Sequence, residues 1–406
     1  MLWLLVITGS FSKKYYNNLP GRKLPKIPWQ FIKIYSIKKH LNIAIIGTRG
    51  IPNNYGGFEQ VAQYLGAGLV SKGHQVTVYN AHHHPYKQRK WKGVQIIHCF
   101  DGEQFIGTAG QFIYDLNCIR DARRKNFDVI LFLGYTSSSV WGRWFPRNAA
   151  VISNMDGMEW KRRKYSGPVK RFLMYAEKLA VKYSDHLIAD STAVQQYLDR
   201  KYNKQTSYIS YGAEIAETEN EAALQNYGLV KQGYYMLMAR MEPENNIEMI
   251  LDGFCKTSSV EKFIVVGKIS NSFGKKIAEK YRKDERIIFA GGIFEQNTIN
   301  SLRKYCKLYF HGHSVGGTNP SLLEAMAGGA LIAAHDNEFN RAVLNEDAFY
   351  FSTADEVMGL INTNKLREKA AGIICNNLKK IKEQFNWPAI VDAYEAVMIE
   401  CHKAKR

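Results

Sequence analysis

From Asn42 onward the chain alternates short, continuously apolar runs with longer stretches whose apolar residues recur at helical spacing, and it does so in two series. Runs without polar alternation suit strands covered on both faces, and strands that alternate with helices build parallel βαβ units. The first series is IAIIG (43–47), QVTVYN (75–80), VQIIHCF (94–100), DVILFLG (128–134), AVISNMDG (150–157), HLIAD (186–190) and TSYISYG (206–212). The second is YYMLMAR (234–240), FIVVGKI (263–269), RIIFAGG (286–292), LYFHGH (308–313) and ALIAAHD (330–336). Acidic, strand-poor ENEAALQNYG (219–228) separates them. A chain of 406 residues exceeds what one core supports, so the pattern predicts an α/β protein with two doubly wound parallel-sheet domains. Their carboxyl edges are expected to face one another across a cleft.

Lysine and arginine number 55 against 37 acidic residues, a net charge of +18, which favours anionic partners without choosing among nucleotide, nucleic acid and acidic lipid. The six cysteines have no Cys-x-x-Cys spacing, so neither a zinc site nor a disulfide framework is expected, and a reducing cytoplasm fits. No apolar run reaches the ~20 residues of a membrane-spanning helix. Residues 1–41 form a basic amino-terminal extension whose first acidic successor is Glu59. Resting on an anionic bilayer and being a plain extension are both open to it.

IAIIGTRGIPNNYGGFE (43–59) places Gly47, Gly50, Gly56 and Gly57 between a buried strand and a helix. Glycine tolerates positive φ and close backbone approach, so this corner suits an anion, while an ordinary strand-to-helix turn is the bland alternative.

Four motifs then occur in order: GTRGIPNNYGGFE, NMDGMEWKR, RMEPENN and HGHSVGGTNPSLLEAMAGG. Together they resemble glycosyltransferase family 4, and more narrowly the bacterial rhamnosyltransferases of polysaccharide assembly, over roughly residues 42 to 400. The resemblance implies the GT-B fold of two Rossmann-like domains and a retaining transfer from a dTDP- or UDP-linked sugar to a lipid-linked saccharide. It implies a division into residues 42–218 on the acceptor side, 219–385 binding the nucleotide sugar, and a terminal helix over 386–406, for which a return to the first domain is one course.

By the same resemblance Gly56 and Gly57 lie against the donor diphosphate, with Arg49, Asn53, Asn54 and Tyr55 lining the acceptor side. Arg240 holds the diphosphate, a task suited to an always ionised, planar fork; an interdomain ion pair is its structural alternative. Gly316, Gly317, Thr318, Asn319 and Ser321 open a helix whose amides and dipole favour an anion, with Thr318 or Asn319 as cap. Glu324, in apolar LLEAMA, needs a partner and takes the nucleotide ribose by resemblance. Asp156 either orients the reacting sugar or caps a turn.

Two positions depart from the family pattern. Gly316 stands where relatives carry the first glutamate of Glu-x7-Glu, and Asn245 stands where they carry the lysine that partners Arg240. Both are expected to mark a variant donor site that still includes Asn245. His82, His83 and His84 are read as a solvated loop, since adjacent residues do not easily converge on one ion and no carboxylate or cysteine stands nearby at ligand spacing. With no Asp-x-Asp triplet in the chain, no metal and no cofactor are expected.

Basic KRRKYSGPVKR (161–171) is either a solvated helix face or a dock on the inner leaflet, and the overall charge favours docking, which makes the protein cytoplasmic and peripheral. Two rival classes remain. One is a non-catalytic nucleotide-sugar binder or assembly partner, suggested by the missing carboxylate and lysine. The other, nucleic-acid binding, has only charge behind it, because no helix-turn-helix, zinc finger or RNA-reading motif occurs.

Overall fold

A computed structural model describes residues 40–406 apart from 55, 163–164, 217–219 and 364–365. The extension over 1–39, Tyr55 and the join at 218/219 therefore lie outside the described residues.

Eight strands form the first sheet: β1 (Asn42–Ile46), β2 (Gln75–Ala81), β3 (Lys90–Trp91), β4 (Val94–Cys99), β5 (Val129–Leu133), β6 (Ala150–Asn154), β7 (His186–Ala189) and β8 (Thr206–Tyr208). Their order is β3-β4-β2-β1-β5-β6-β7-β8, parallel except where β3 meets β4. Six form the second: β9 (Tyr234–Met238), β10 (Lys262–Val266), β11 (Ile287–Gly291), β12 (Leu308–His311), β13 (Ile332–His335) and β14 (Phe349–Phe351). The order β11-β10-β9-β12-β13-β14 is parallel throughout.

Both orders reverse direction in the middle of the sheet, between β1 and β5 and between β9 and β12. Loops leaving the carboxyl ends of strands at such a reversal diverge to opposite faces and open a crevice. Here those loops are 47–56 after β1, the Arg240 loop after β9, and 312–319 after β12. They carry most of the residues singled out by motif.

The unbroken apolar character of β1 has a direct cause. Ile43 and Ile45 pack into the cluster beneath helix Gly57–Ser71, and Ala44 and Ile46 into the one on the opposite face; all four are wholly buried. Burying each isoleucine contributes about 1.5–3 kcal/mol. Two strands went unforeseen: β3 is a two-residue edge that pairs only with β4, and β14 is three residues long. Neither is long enough to carry a periodic signal.

The last helix, Trp387–Lys405, lies on the first sheet. Its Trp387 ring stacks on Tyr64 with centroids 4.4 Å apart, and Asn154 Nδ2 at the end of β6 donates to Tyr394 Oη at 2.8 Å. Lys72 and His74 both reach Glu395. No helix among the described residues is long and apolar enough to cross a membrane.

Candidate active site at the cleft

The loop after β1 is held by a set of buried polar groups. Glu59, 4% exposed in the first turn of helix Gly57–Ser71, accepts from Thr48 Oγ1 at 3.2 Å and the Arg49 amide at 2.7 Å. Asn80 exchanges two bonds with Ile51, and Tyr114 donates to the carbonyls of Thr48 and Tyr79. Arg49 itself is engaged: its guanidinium forms two bonds to Glu103, at 2.6 and 3.0 Å. Asn53 and Asn54 are exposed, the Asn53 amide donating to Gln63.

The four glycines of this loop have different causes. Gly47 and Gly50 take positive φ, and a side chain would collide with Leu133 at one and with Asn80 at the other, so both serve the first domain's own packing. Gly56 is extended, with ordinary room around it. Gly57 answers to the second domain, because a Cβ there would stand 3.2 Å from Pro320 at the opening of helix Pro320–Ala327.

Two further contacts press the domains together in the same way. A Cβ on Gly157 would lie 2.6 Å from the Gly316 Cα, and one on Gly317 would overlap the Asp190 carboxyl. Thr318 Oγ1 donates to the Asp190 carbonyl at 2.6 Å, so Thr318 clasps the first domain while Asn319 is the helix cap, accepting from the Ser321 amide and hydroxyl. The cap alters the expected anion site. Pro320 has no N–H, Ser321 donates to the cap, and Leu322 and Leu323 donate to the Asn319 carbonyl. The amides of Gly316 and Gly317 hold no hydrogen bond among the described residues, so they and the helix dipole are what the turn can offer an anion.

Around the turn stand Asp156, Glu159, Arg162, Asp190, Arg240, Glu244 and His313. Asp156 follows β6 at φ 45°, its amide donating to Asn154 Oδ1. Burial, then the charge of Glu159, pushes its carboxyl up to about 6, against the pull of Arg162 and Arg240. Asp190, 1% exposed at the end of β7, is driven further towards the neutral acid by burial and by Asp156, and its Oδ1 has no hydrogen-bond partner among the described residues. Arg162 pairs with Glu159 at 2.6 Å and reaches only to 3.5 Å from Glu244 of the second domain, too long for a hydrogen bond. Burial and the charges of Arg240 and Arg162 hold His313 down to about 3, a neutral ring whose Nδ1 has no hydrogen-bond partner among the described residues.

Arg240 is exposed, and its charge acts on Asp156, Tyr165 and His313. Asn245 is buried and donates its amide to the Arg240 carbonyl at 2.7 Å, bracing the loop that carries the arginine. Glu324 accepts from Arg303 Nη2 at 2.6 Å and from Gln60 Nε2, in the first domain, at 3.2 Å. Arg303 is wholly buried.

Asp190, Glu59, Arg303 and His313 escaped the sequence reading as site residues. Two of them gave a signal, Glu59 as the last residue of GTRGIPNNYGGFE and His313 as part of the HGHSVGG motif. The histidine run also departs from expectation. His82 Nδ1 and His83 Nδ1 do converge, 3.0 and 2.7 Å from Asp101 Oδ2, because β4 returns beside β2 and brings a buried carboxylate to them. The Asp101 amide lies 3.2 Å from His82 Nδ1 as well, while His84 turns inward to Asn80.

The raised pKa of Asp156 fixes the sign of its effect on stability. The folded state holds the proton more tightly than the unfolded chain, so the contribution is full below about pH 4 and lost as the pH rises through about 6. Asp156→Asn is expected to raise the melting temperature at pH 7.5, by the equivalent of up to about 3 kcal/mol, and to leave it nearly unchanged at pH 4. Scanning calorimetry at both pH values checks this.

Two facing doubly wound sheets with this crevice define the GT-B fold, and the comparisons agree. Residues 39–214 match a domain of unknown function, DUF1972. No curated protein matches the sequence. Among solved structures, sucrose-phosphate synthase from Thermosynechococcus elongatus is similar at TM-score 0.74 and 17% identity, over 90% of this chain and 100% of that one. HepE of Anabaena, in complex with UDP-glucose, is similar at 0.70 and 15%, over 89% and 100%. The catalytic domain of starch synthase IV from Arabidopsis thaliana, bound to ADP and acarbose, is similar at 0.65 and 13%, over 90% and 100%.

Proposed function

We propose that the protein is a retaining glycosyltransferase of family 4 type that moves L-rhamnose from a dTDP donor, with a UDP-linked sugar as the other candidate, onto a lipid-linked saccharide in cell-surface polysaccharide synthesis. The observation that carries this is the grouping of Arg240, the unbonded Gly316–Gly317 amides and neutral His313 on one wall, facing Asp156 and Gly57 on the other. HepE, similar in fold, is seen with UDP-glucose.

In this mechanism the acceptor hydroxyl oxygen bonds to the sugar C1 as the C1–O bond to the diphosphate breaks. The electron pair leaves with the phosphate oxygen, which also takes the acceptor proton. Arg240 and the two amides meet the growing charge, a preorganised stabilisation worth about 10²–10³ in rate for each strong donor. Asp156 accepts from a sugar hydroxyl, and Glu324 from the ribose. No metal is assigned a role. A lipid-linked acceptor places the enzyme at the cytoplasmic leaflet as a peripheral protein, in contact with anionic lipid and not with nucleic acid.

One observation favours a second reading. Asn245 turns its amide into the Arg240 carbonyl and supplies no second cation, which suits a nucleotide-sugar binder or assembly partner without turnover. A panel of nucleotide sugars separates the two. A donor at 100 times its Kd adds about 2.7 kcal/mol and raises the melting temperature by several degrees. The stabilising donor is then incubated with lipid-linked acceptor. Product supports transfer, binding without product supports the second reading, and a panel in which nothing stabilises rejects both.

A further inference from the structure

Helix Gly110–Ala122, the turn Ser139–Trp144 and helix Gly167–Tyr183 cover the face of the first sheet opposite helix Gly57–Ser71. Their inner sides are accounted for: Tyr114, Cys118 and Ile119 pack against Phe132 and Val151. Their outer sides are not those of an ordinary solvated surface. Phe105 and Ile106, on the short helix Glu103–Ile106 just before them, are 76% and 52% exposed, and Trp144, Met174 and Tyr175 are exposed as well. Large apolar side chains scattered singly need no explanation, but a run of them along one face does.

The charge on this face is mainly positive, Glu103 beside the tip being paired with Arg49. Helix Gly167–Tyr183 turns Arg171, Lys178 and Lys182 outward at helical spacing beside Met174 and Tyr175. Its one carboxylate, Glu177, is 2% exposed and points inward, where Lys201, Trp160, Tyr197 and Tyr202 all donate to it. At the other end of the face, Arg120 and Arg123 stand over the Trp144 ring at 5.3 and 5.8 Å. Asp121 nearby is taken by Lys125 and the Tyr79 hydroxyl. Aromatic and aliphatic side chains interleaved with unneutralised lysine and arginine suit an interface where apolar groups enter the acyl boundary and cations meet phosphate.

We infer that this face of the first domain is the surface on which the protein docks to an anionic phospholipid bilayer. Helix Gly167–Tyr183 supplies the cations, and Trp144, Met174 and Tyr175 with the tip at Phe105 supply the apolar anchors. A nucleic acid would use the cations but leave the aliphatic tip in water; a second copy of this chain would bring like charge against like. Docking on this face does not require that the cleft transfer a sugar.

The test is sedimentation of the full chain with vesicles of phosphatidylcholine alone and with 30% phosphatidylglycerol, a composition of about one anionic lipid in three. Binding is expected only to the anionic vesicles and to weaken with salt. Replacing Arg171, Lys178 and Lys182 by Gln together removes three surface cations and is expected to lower the partition coefficient about a hundredfold. Separately, Trp144→Ser with Met174→Ser is expected to reduce binding at high salt more than at low salt. Circular dichroism and an unchanged melting temperature show that the variants are folded. Undiminished binding by both variants would overturn the inference, since the contact would then lie elsewhere, for instance in the basic extension. Equal binding to neutral vesicles, or loss of DNA retention with vesicle binding unchanged, would also overturn it.

Discussion

Replacing Arg240 with alanine is expected to lower kcat/KM for sugar transfer by at least about 10³, with the melting temperature within a degree or two of wild type. The side chain is exposed, and the loop beneath it is held by Asn245 and by backbone bonds that the substitution does not touch. Its charge is felt by Asp156 on one domain and His313 on the other, so it stands where a departing diphosphate would gather charge. Arg240→Lys is expected to recover only part of the loss, because an ammonium cannot present two parallel donors. Steady-state kinetics with the donor found in the panel, alongside a thermal melt, decides the matter. Full activity in Arg240→Ala would remove the proposed site.

The largest effect on stability is expected at Glu324. Arg303 is wholly buried, and among the described residues its Nε and Nη1 have no partner and its Nη2 meets only Glu324 and the Met238 sulfur. Deleting the carboxylate leaves an uncompensated guanidinium in the core, which costs about 3–5 kcal/mol. Glu324→Ala should therefore melt about 10 °C below wild type. Glu324→Gln keeps an acceptor oxygen for Arg303 and should retain most of the stability while weakening donor affinity, because ribose hydroxyls lose a charged partner. Calorimetry reads the first effect and donor titration the second. Unchanged donor affinity in Glu324→Gln would leave the residue as the counter-charge of Arg303 and nothing more.

Glu324 shows how far the letters carried. A carboxylate inside LLEAMA announces that something must compensate it, and that inference needs only neighbouring residues. What compensates it is Arg303, 21 positions earlier, and Gln60, 264 positions earlier on the other domain. The opening glycines behave alike. Their number announced a tight corner, yet Leu133 and Asn80 account for Gly47 and Gly50, while Pro320 accounts for Gly57. The expectation that adjacent histidines would not converge failed for a related reason, since Asp101 reaches His82 and His83 only through the pairing of β2 with β4.

The order of apolar runs, the break near residue 219 and the spacing of the turn residues determined on their own that the chain is built of two parallel α/β sheets. Those are properties of contiguous residues, because periodicity and helix capping act over a few positions. Only the tertiary structure decided which amides remain unbonded at Gly316 and Gly317, that Asp190 lies against them, and that Arg303 neutralises Glu324. Each of these is a contact between chain segments far apart in sequence. Its energy depends on distance and burial, which no local pattern encodes.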